Sequence, residues 1–358
     1  MAGLIQIQDF WKHVEQLSWE RFTGHHKIIR YADGLPVYSA WFPPSNSSAF
    51  ANIQVNIMFS GLQHRPLPYL VSIALTDECN ARCEHCSFFN RIDDPSKQPL
   101  STEEIKDAIR QAQDIGACVI NFVGGEPLMH PDWREIFQSI DKRKSHVFFF
   151  TNGWFLAESA ADVKAVGIGG VYVSIDSSQS KIHDQKRGIA GLFAKAMDGI
   201  AAAKKADLTV GISSCIDEQA FESGELDNII ELAKRQGVHE VLVFDAKPVG
   251  RFCDRNDLKG SLWTEKMFEH IKKYNDDEKY PGILLYARAT SHTGLGCPGG
   301  TCYFYMTPYG DICPCDFHSH KFGNVREEKL PLIWDKMVQQ LGMHGSNWHG
   351  CWAKRFNS

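Results

Sequence analysis

Between about residues 68 and 280 the chain keeps a steady rhythm: short apolar, β-branched runs alternate with amphipathic stretches of helical length. The runs YLVSIAL with its Thr (70–76), CVINFV (118–123), HVFFFT (146–151), VYVSID (171–176), LTVGISSCI (208–216) and EVLVFD (240–245) predict strands. Between and after them the spacing predicts helices at about 102–115, 132–142, 156–166, 190–206, 224–237 and 263–276. STEE (101–104) opens the first helix as a capping box, a hydroxyl followed three residues on by an acid. Such alternation implies a parallel sheet with right-handed crossovers. Six units are too few to close an eight-unit barrel, so the expected fold is α/β, an open or partial (β/α)6 barrel. Ligands of such sheets collect at the carboxyl ends of the strands.

The flanks break the rhythm. Residues 1–67 hold a stretch with apolar residues near helical spacing (Ile7, Phe10, Trp11, Val14, Leu17), a strand-like LPVYSAWF and the loop PPSNSS. They read as an N-terminal extension packed on the main domain; an amphipathic helix lying on a membrane is the competing reading. From about 281 to 358 periodicity fades while glycine, proline and cysteine rise, as in a small metal-stapled domain. With 43% apolar and 23% charged residues the chain is an ordinary globular one, and a net charge of -5 gives no reason to expect nucleic acid as a partner. No apolar stretch approaches the ~20 residues of a membrane span, and the N-terminus lacks the pattern of a secretory signal. The expected location is the cytoplasm, where eleven cysteines point to metal or catalysis rather than to disulfides.

Three of those cysteines stand in TDECNARCEHC, directly after the first predicted strand: Cys79, Cys83 and Cys86, spaced C-x3-C-x2-C. Structural zinc takes four ligands, usually as two close pairs. No fourth cysteine is near, and His85 is wedged too tightly between Cys83 and Cys86 to join them. Three thiolates on one loop suit a cubane iron–sulfur cluster that leaves one iron open for a further ligand.

This loop, at this place in a β/α chain, resembles the radical S-adenosylmethionine (SAM) superfamily. The resemblance implies a partial (β/α)6 barrel, a [4Fe-4S] cluster whose open iron is chelated by SAM, and reductive cleavage of SAM to a 5′-deoxyadenosyl radical that abstracts hydrogen from a substrate. It assigns SAM contacts to GGEP (Gly124, Gly125, Glu126, Pro127), to Asn152 in TNG, and to Ser174 and Asp176 ending the fourth strand. Ser213 on the fifth strand and Arg187 in HDQKRG join them, Arg187 as a partner for the SAM carboxylate. Arg251 in VGR is a further candidate, and His85 takes the place where many members have an aromatic beside the adenine. Taken alone, GGEP is more often a turn than a site, and Arg187 equally suits a surface salt bridge.

In GCPGGTCYFYMTPYGDICPC the spacing C-x12-G-x4-C from Cys297 to Cys315 resembles the extension called SPASM, or its shorter form twitch, and GNVREEKLPLIW (323–334) resembles its closing segment. That implies auxiliary iron–sulfur chemistry, with a zinc ribbon as the competing reading. Five cysteines supply one four-iron cluster and not two. The expected ligands are Cys297, Cys302, Cys315 and Cys351, with Cys313 interchangeable with Cys315. Cys118 and Cys215 fall inside predicted strands and read as buried structural residues. Cys253, on the loop after the sixth strand, is a candidate hydrogen-atom donor.

The expected protein is thus a radical SAM enzyme with one SAM-binding and one auxiliary cluster. Its domains are an extension (1–67), the barrel (68–280) and the auxiliary-cluster unit (281–358). A one-electron donor, flavodoxin or ferredoxin, is implied. The substrate is either a ribosomally made peptide or a small or lipid-like molecule. The alternative is a non-catalytic iron–sulfur or zinc protein serving electron transfer or as a scaffold. Metal analysis separates the two cofactor readings: the anaerobically reconstituted protein should hold about eight iron and about eight sulfide per chain, whereas zinc without sulfide would overturn the cluster assignment.

Overall fold

The computed structural model describes residues 22–88, 96–259, 262–291, 294 and 296–341. Its centre is a ten-stranded sheet in the order β12-β11-β10-β3-β4-β5-β6-β7-β8-β9. Strands β3 (Leu70–Ala74), β4 (Val119–Val123), β5 (His146–Thr151), β6 (Gly170–Ser174), β7 (Thr209–Ile216) and β8 (Glu240–Asp245) are the six expected from the sequence, in chain order and all parallel. Their near-continuous apolar runs are buried on both faces, as a parallel sheet requires.

Side chains alternate across the sheet. On the outer face Val71, Ile73, Ile120, Phe122, Val147, Phe149, Val171, Val173, Val210, Ile212, Val241 and Val243 meet the helices in one large core. These helices are α2 (Thr102–Asp114), α3 (Trp133–Ser139), α4 (Leu156–Ala165), α6 (Leu192–Lys205), α7 (Glu218–Glu222), α8 (Glu225–Gln236) and α9 (Leu262–Asn275), while the short α5 (Ser180–Arg187) contributes no residue to this core and packs on α6. The capping box of α2 is formed: the Ser101 hydroxyl accepts from the Glu104 amide at 3.3 Å, and the Glu104 carboxylate accepts from the Ser101 amide at 2.7 Å. One predicted helix, 190–206, covers only α6; α5 precedes it and carries HDQKR, because Gly188 in the left-handed region ends one helix before the next starts.

Hydrogen bonding continues past the expected boundary at 280. β9 (Gly282–Leu285) pairs with β8 at one edge, and β10 (Tyr303–Met306) pairs in parallel with β3 at the other. β11 (Asp311–Cys313) and β12 (Gly323–Asn324) extend that edge antiparallel, and α10 (Leu330–Leu341) packs beside α2. The sheet stays an open, partial barrel. Among the described residues no helix is long and apolar enough to cross a membrane.

The inner face is closed from below by the N-terminal segment. A hairpin of β1 (Arg30–Ala32) and β2 (Leu35–Val37) turns at Asp33-Gly34, both at positive φ. Tyr38–Phe42 then run under the sheet and join Leu70, Val119, Phe148, Tyr172, Leu242 and Leu284 in a second core. α1 (Ser48–Gln63), which periodicity did not reveal, follows behind the Ser47 cap. Of the aromatic residues in the N-terminal sequence, Trp41 and Phe42 are buried here; Phe10, Trp11 and Trp19 lie outside the described residues.

Glu240 anchors this floor. Its carboxylate Oε2 accepts from the Ser39 hydroxyl at 3.1 Å, the Ala40 amide at 2.9 Å and the Tyr172 hydroxyl, while Oε1 has no partner among the described residues. Burial pushes this carboxyl up to about 7, with the three donors opposing. The fold therefore favours the neutral acid. The stability this gives is complete below the ordinary carboxyl range and is lost as pH rises through about 7, by up to about 3 kcal/mol. Chemical denaturation of Glu240→Gln should show that variant gaining about 2–3 kcal/mol on the wild type between pH 5 and pH 8. Parallel pH profiles would show that the carboxyl is ionised throughout.

Candidate active site

The three-cysteine loop leaves β3 at its carboxyl end and has no regular secondary structure of its own. Neighbouring βα loops hold it from three sides through its backbone. On one side the Gly125 amide donates to the Thr76 carbonyl at 2.8 Å and the Glu126 amide to the Glu78 carbonyl at 2.7 Å. On a second, the Arg82 and Glu84 amides each donate at 2.9 Å to the Arg187 and Lys186 carbonyls at the end of α5. On the third, the Arg251 amide donates to the Cys86 carbonyl at 3.0 Å. Two of these contacts leave no room for a side chain: a Cβ on Gly125 would lie 1.8 Å from the Glu78 oxygen, and one on Gly250 2.1 Å from the Cys86 oxygen.

Side chains lock the same loops together. Glu126, buried, accepts from the Thr151 hydroxyl (2.7 Å), the Asn152 amide (2.8 Å) and the Leu128 amide (3.3 Å). Burial pushes its carboxyl up to about 7 against these donors. The Asn152 side chain donates to Asn80 Oδ1 at 2.7 Å, so GGEP, TNG and the cysteine loop form one network. Behind it, the fully buried Asp176 accepts from the Cys215 amide at 3.0 Å, with Arg187 Nε at 2.5 Å and His85 Nε2 at 3.3 Å from its carboxylate. Burial works against the Asp176 charge, but the Arg187 guanidinium, His85, the Cys215 amide and His183 together outweigh it and hold the carboxyl well below the usual range. Burial depresses His85 to about 4 despite Asp176, so its imidazole is neutral near pH 7.

A cavity of about 230 Å³ opens over the carboxyl ends of the strands. Its walls bring together Cys79, Cys83, Cys86, His85, Gly124, Gly125, Glu126, Asn152, Ser174, Arg187, Ser213 and Arg251. All three cysteines are half-buried and in no disulfide, and burial pushes Cys79 up to about 12, so its thiolate needs a neighbouring cation. Arg187 Nη1 stands 3.7 Å from the Cys83 sulfur. Three cysteines on one cavity wall fit a cluster with an open corner.

Other expectations need correction. Asp176 does not reach the cavity; it lies behind the wall and positions Arg187 and His85. Arg187 is therefore already engaged as an ion pair rather than waiting for a carboxylate. Pro127 begins a buried turn of 3-10 helix behind the rim. Cys253, the candidate hydrogen-atom donor, is exposed and stands outside the cavity wall. Cys215, read as structural, lines the cavity instead, because the inward alternation of β7 carries it there with Ser213. Trp41, Thr151, Phe244 and Lys247 also line the cavity without having been singled out for it. The period-2 inward positions would have flagged Phe244; nothing in the sequence pointed Trp41 across the 107 residues to Phe148.

In the second cysteine group Cys297 and Cys302 flank a tight turn in which the Cys302 and Tyr303 amides both donate to the Pro298 carbonyl at 3.0 Å. A Cβ on Gly299 would lie 2.9 Å from the Pro314 oxygen, so this turn packs against the Cys313–Cys315 segment. Burial pushes the Cys302 thiol up, opposed by hydrogen bonds from Tyr69 and Thr301. Cys313 and Cys315 are both buried. Cys351 lies outside the described residues.

An open parallel sheet with a tricysteine loop over its carboxyl edge is the architecture of an iron–sulfur radical enzyme, and comparison with known proteins agrees. A family model for the radical SAM superfamily matches residues 73–220, and one for SPASM, an iron–sulfur cluster-binding domain, matches residues 297–352. The AdoMet-dependent heme synthase of Methanosarcina barkeri is 28% identical over 290 residues, 75% of this chain and 82% of that protein. Mycofactocin maturase MftC of Mycobacterium ulcerans is 31% identical over 325 residues, 81% of this chain and 84% of that protein. SuiB of Streptococcus suis, solved bound to S-adenosylmethionine, shares the fold with a TM-score of 0.60 at 16% identity, covering 80% of this chain and 70% of that one. The chain belongs to the radical SAM superfamily and carries a SPASM extension, so [4Fe-4S] clusters and SAM are its cofactors.

The contact at Gly125 is directly testable. Gly125→Ala should lower stability by about 2–3 kcal/mol and prevent recovery of cluster absorbance on reconstitution. Gly61→Ala, where nothing lies within 4 Å of the new Cβ, should be neutral or slightly stabilising.

Proposed function

We propose that the chain cleaves SAM reductively in this cavity and acts on a residue of a peptide substrate. The observation that carries the reading is the three cysteines of one loop, none in a disulfide, lining one cavity with no fourth cysteine of that loop in its wall among the described residues. Cys79, Cys83 and Cys86 hold the SAM-binding cluster, and Gly124, Gly125, Glu126, Asn152, Ser174 and Ser213 border SAM. Bound there, the cluster and SAM supply a 5′-deoxyadenosyl radical able to abstract hydrogen from carbon. The chain's residues prepare the place. Arg187, oriented by Asp176, directs an N–H toward the Cys83 sulfur and stabilises negative charge on it. Neutral His85 adds a flat wall without competing for the charged end of SAM. The buried Glu126 network keeps three loops in one arrangement and shields the site from water.

An auxiliary cluster is assigned to Cys297, Cys302, Cys315 and Cys351, with Cys313 as the alternative to Cys315. Its role is electron transfer or substrate binding, and a flavodoxin or ferredoxin is the external one-electron donor. The peptide reading draws support from a further relative, the PqqA peptide cyclase of Rhizobium meliloti, 28% identical over 299 residues, 79% of this chain and 78% of that protein. The heme synthase similarity, over 75% of the chain, favours an iron porphyrin as the second reading.

The test is anaerobic reconstitution, reduction and chromatography of the products. Wild type should release 5′-deoxyadenosine, and Cys83→Ala should lose both that activity and the SAM-binding cluster's absorbance. Release by the variant at the wild-type rate would overturn the reading. Addition of a precursor peptide should raise the release severalfold; stimulation by an iron porphyrin alone would select the second reading.

A further inference from the structure

Below the cysteine loop the cavity narrows into an aromatic chamber whose floor does not come from the sheet. Trp41, delivered by the N-terminal segment, lies with its ring centroid 5.0 Å from Phe148, 5.9 Å from Phe150 and 6.1 Å from Tyr286; Phe244 stands 4.9 Å from Tyr286. Trp41, Phe150, Phe244 and Tyr286 line the same cavity as the three thiols.

Two buried polar atoms on uncharged side chains of this lining lack partners among the described residues. One is the indole Nε1–H of Trp41, a residue 6% exposed; the other is Oδ1 of Asn121, a residue 3% exposed. Asn121 sits in register beside Phe148, the ring closest to Trp41, so both atoms belong to one level of the chamber. The amide nitrogen of Asn121 already donates to Ser72 Oγ at 2.8 Å, which leaves the oxygen as the available acceptor. A buried donor or acceptor without a partner is costly, and a site that keeps one of each favours a ligand that fills both.

The charges of the chamber are committed elsewhere. The Lys247 ammonium lies 5.6 Å over the Tyr286 ring and 5.3 Å over the Phe317 ring, and it is ion-paired with Asp245. The protein's own lysine thus occupies the cation-binding ring faces, and its charge is balanced by the aspartate. The other charged side chains of the lining are engaged as well: Asp316 accepts from the Tyr303 hydroxyl, Arg187 is ion-paired with Asp176, and Arg251 donates to the Arg82 carbonyl at 3.5 Å.

We infer that this chamber is the substrate subsite and that Trp41 and Asn121 select an uncharged, flat, apolar group bearing one hydroxyl or amide. That group accepts from the indole N–H and donates to the Asn121 oxygen. The inference rests on the cavity being the active site, and it gives the N-terminal segment a task in specificity.

The test uses the reconstituted full-length protein without SAM and reads binding by ligand-observed NMR. The probes are 4-methylphenol, 4-methylbenzamide, p-xylene and 4-methylbenzoate. The phenol or the amide should bind at least about tenfold more tightly than p-xylene and the benzoate, and whichever does so identifies the polar group. Trp41→Phe and Asn121→Leu should each erase that preference while changing p-xylene binding by less than about threefold. Equal affinity for all four probes in the wild type, tight binding of the benzoate, or an unchanged preference in both variants would overturn the inference. The wild-type contrast stands even if a variant fails to fold. SAM cleavage by the wild type is measured in parallel: its absence sinks the radical reading, whereas cleavage without any probe preference sinks the subsite alone.

Discussion

The site depends on backbone hydrogen bonds that hold an irregular loop in place. The cysteine loop makes no helix or strand of its own, so its amides and carbonyls must find partners elsewhere or face a desolvation cost. GGEP, the end of α5 and the VGR turn supply them, each from the carboxyl end of a different strand. This is why glycine stands at 125 and 250: the approach is closer than any Cβ permits. The geometry of three thiols thereby becomes a property of the whole sheet, since displacing any one strand would shift the loop that rests on it.

The electrostatics follow the same plan. Deep burial around the cluster loop disfavours isolated charge, and the protein answers by pairing Asp176 with Arg187 and leaving His85 neutral. A buried pair of this kind contributes little net stability by itself. Its value is positional, because it aims a guanidinium at the Cys83 sulfur from behind the cavity wall. The Lys247–Asp245 pair plays a similar part on the opposite side, filling aromatic faces that would otherwise attract cations.

The N-terminal segment completes what the open sheet cannot. An open barrel leaves its inner face uncovered below, and the apolar inner residues need a lid there. Ser39, Ala40 and Trp41 provide it, tied by Glu240 and by the contact of His146 Nε2 with the Ala40 carbonyl at 3.1 Å. Glu240 is the first residue of a strand whose other inward positions are apolar, so a carboxylate there makes sense only with the segment it holds.

Much of this was legible in the chain. Six parallel strands, the α2 capping box and the cysteine spacing are local: they follow from periodicity, a four-residue cap and chain distances within one loop. Most of the expected SAM-side residues do converge, because each ends a strand and the carboxyl ends of a parallel sheet meet by construction. Tertiary structure decided the rest. Asp176 and Ser174 are two residues apart, yet one lies behind the wall and the other in it; Cys215 lines the cavity because of the direction its side chain takes once β7 is packed, while Cys253 is exposed after the turn that follows β8. β9, at four residues, is too short to announce itself, and α1, with no charged residue, shows no polar face to reveal its period. Above all, the pairing of Trp41 and Glu240 with an inner sheet face spans long stretches of chain, and a sequence contains no local signal for which distant surface a segment will cover.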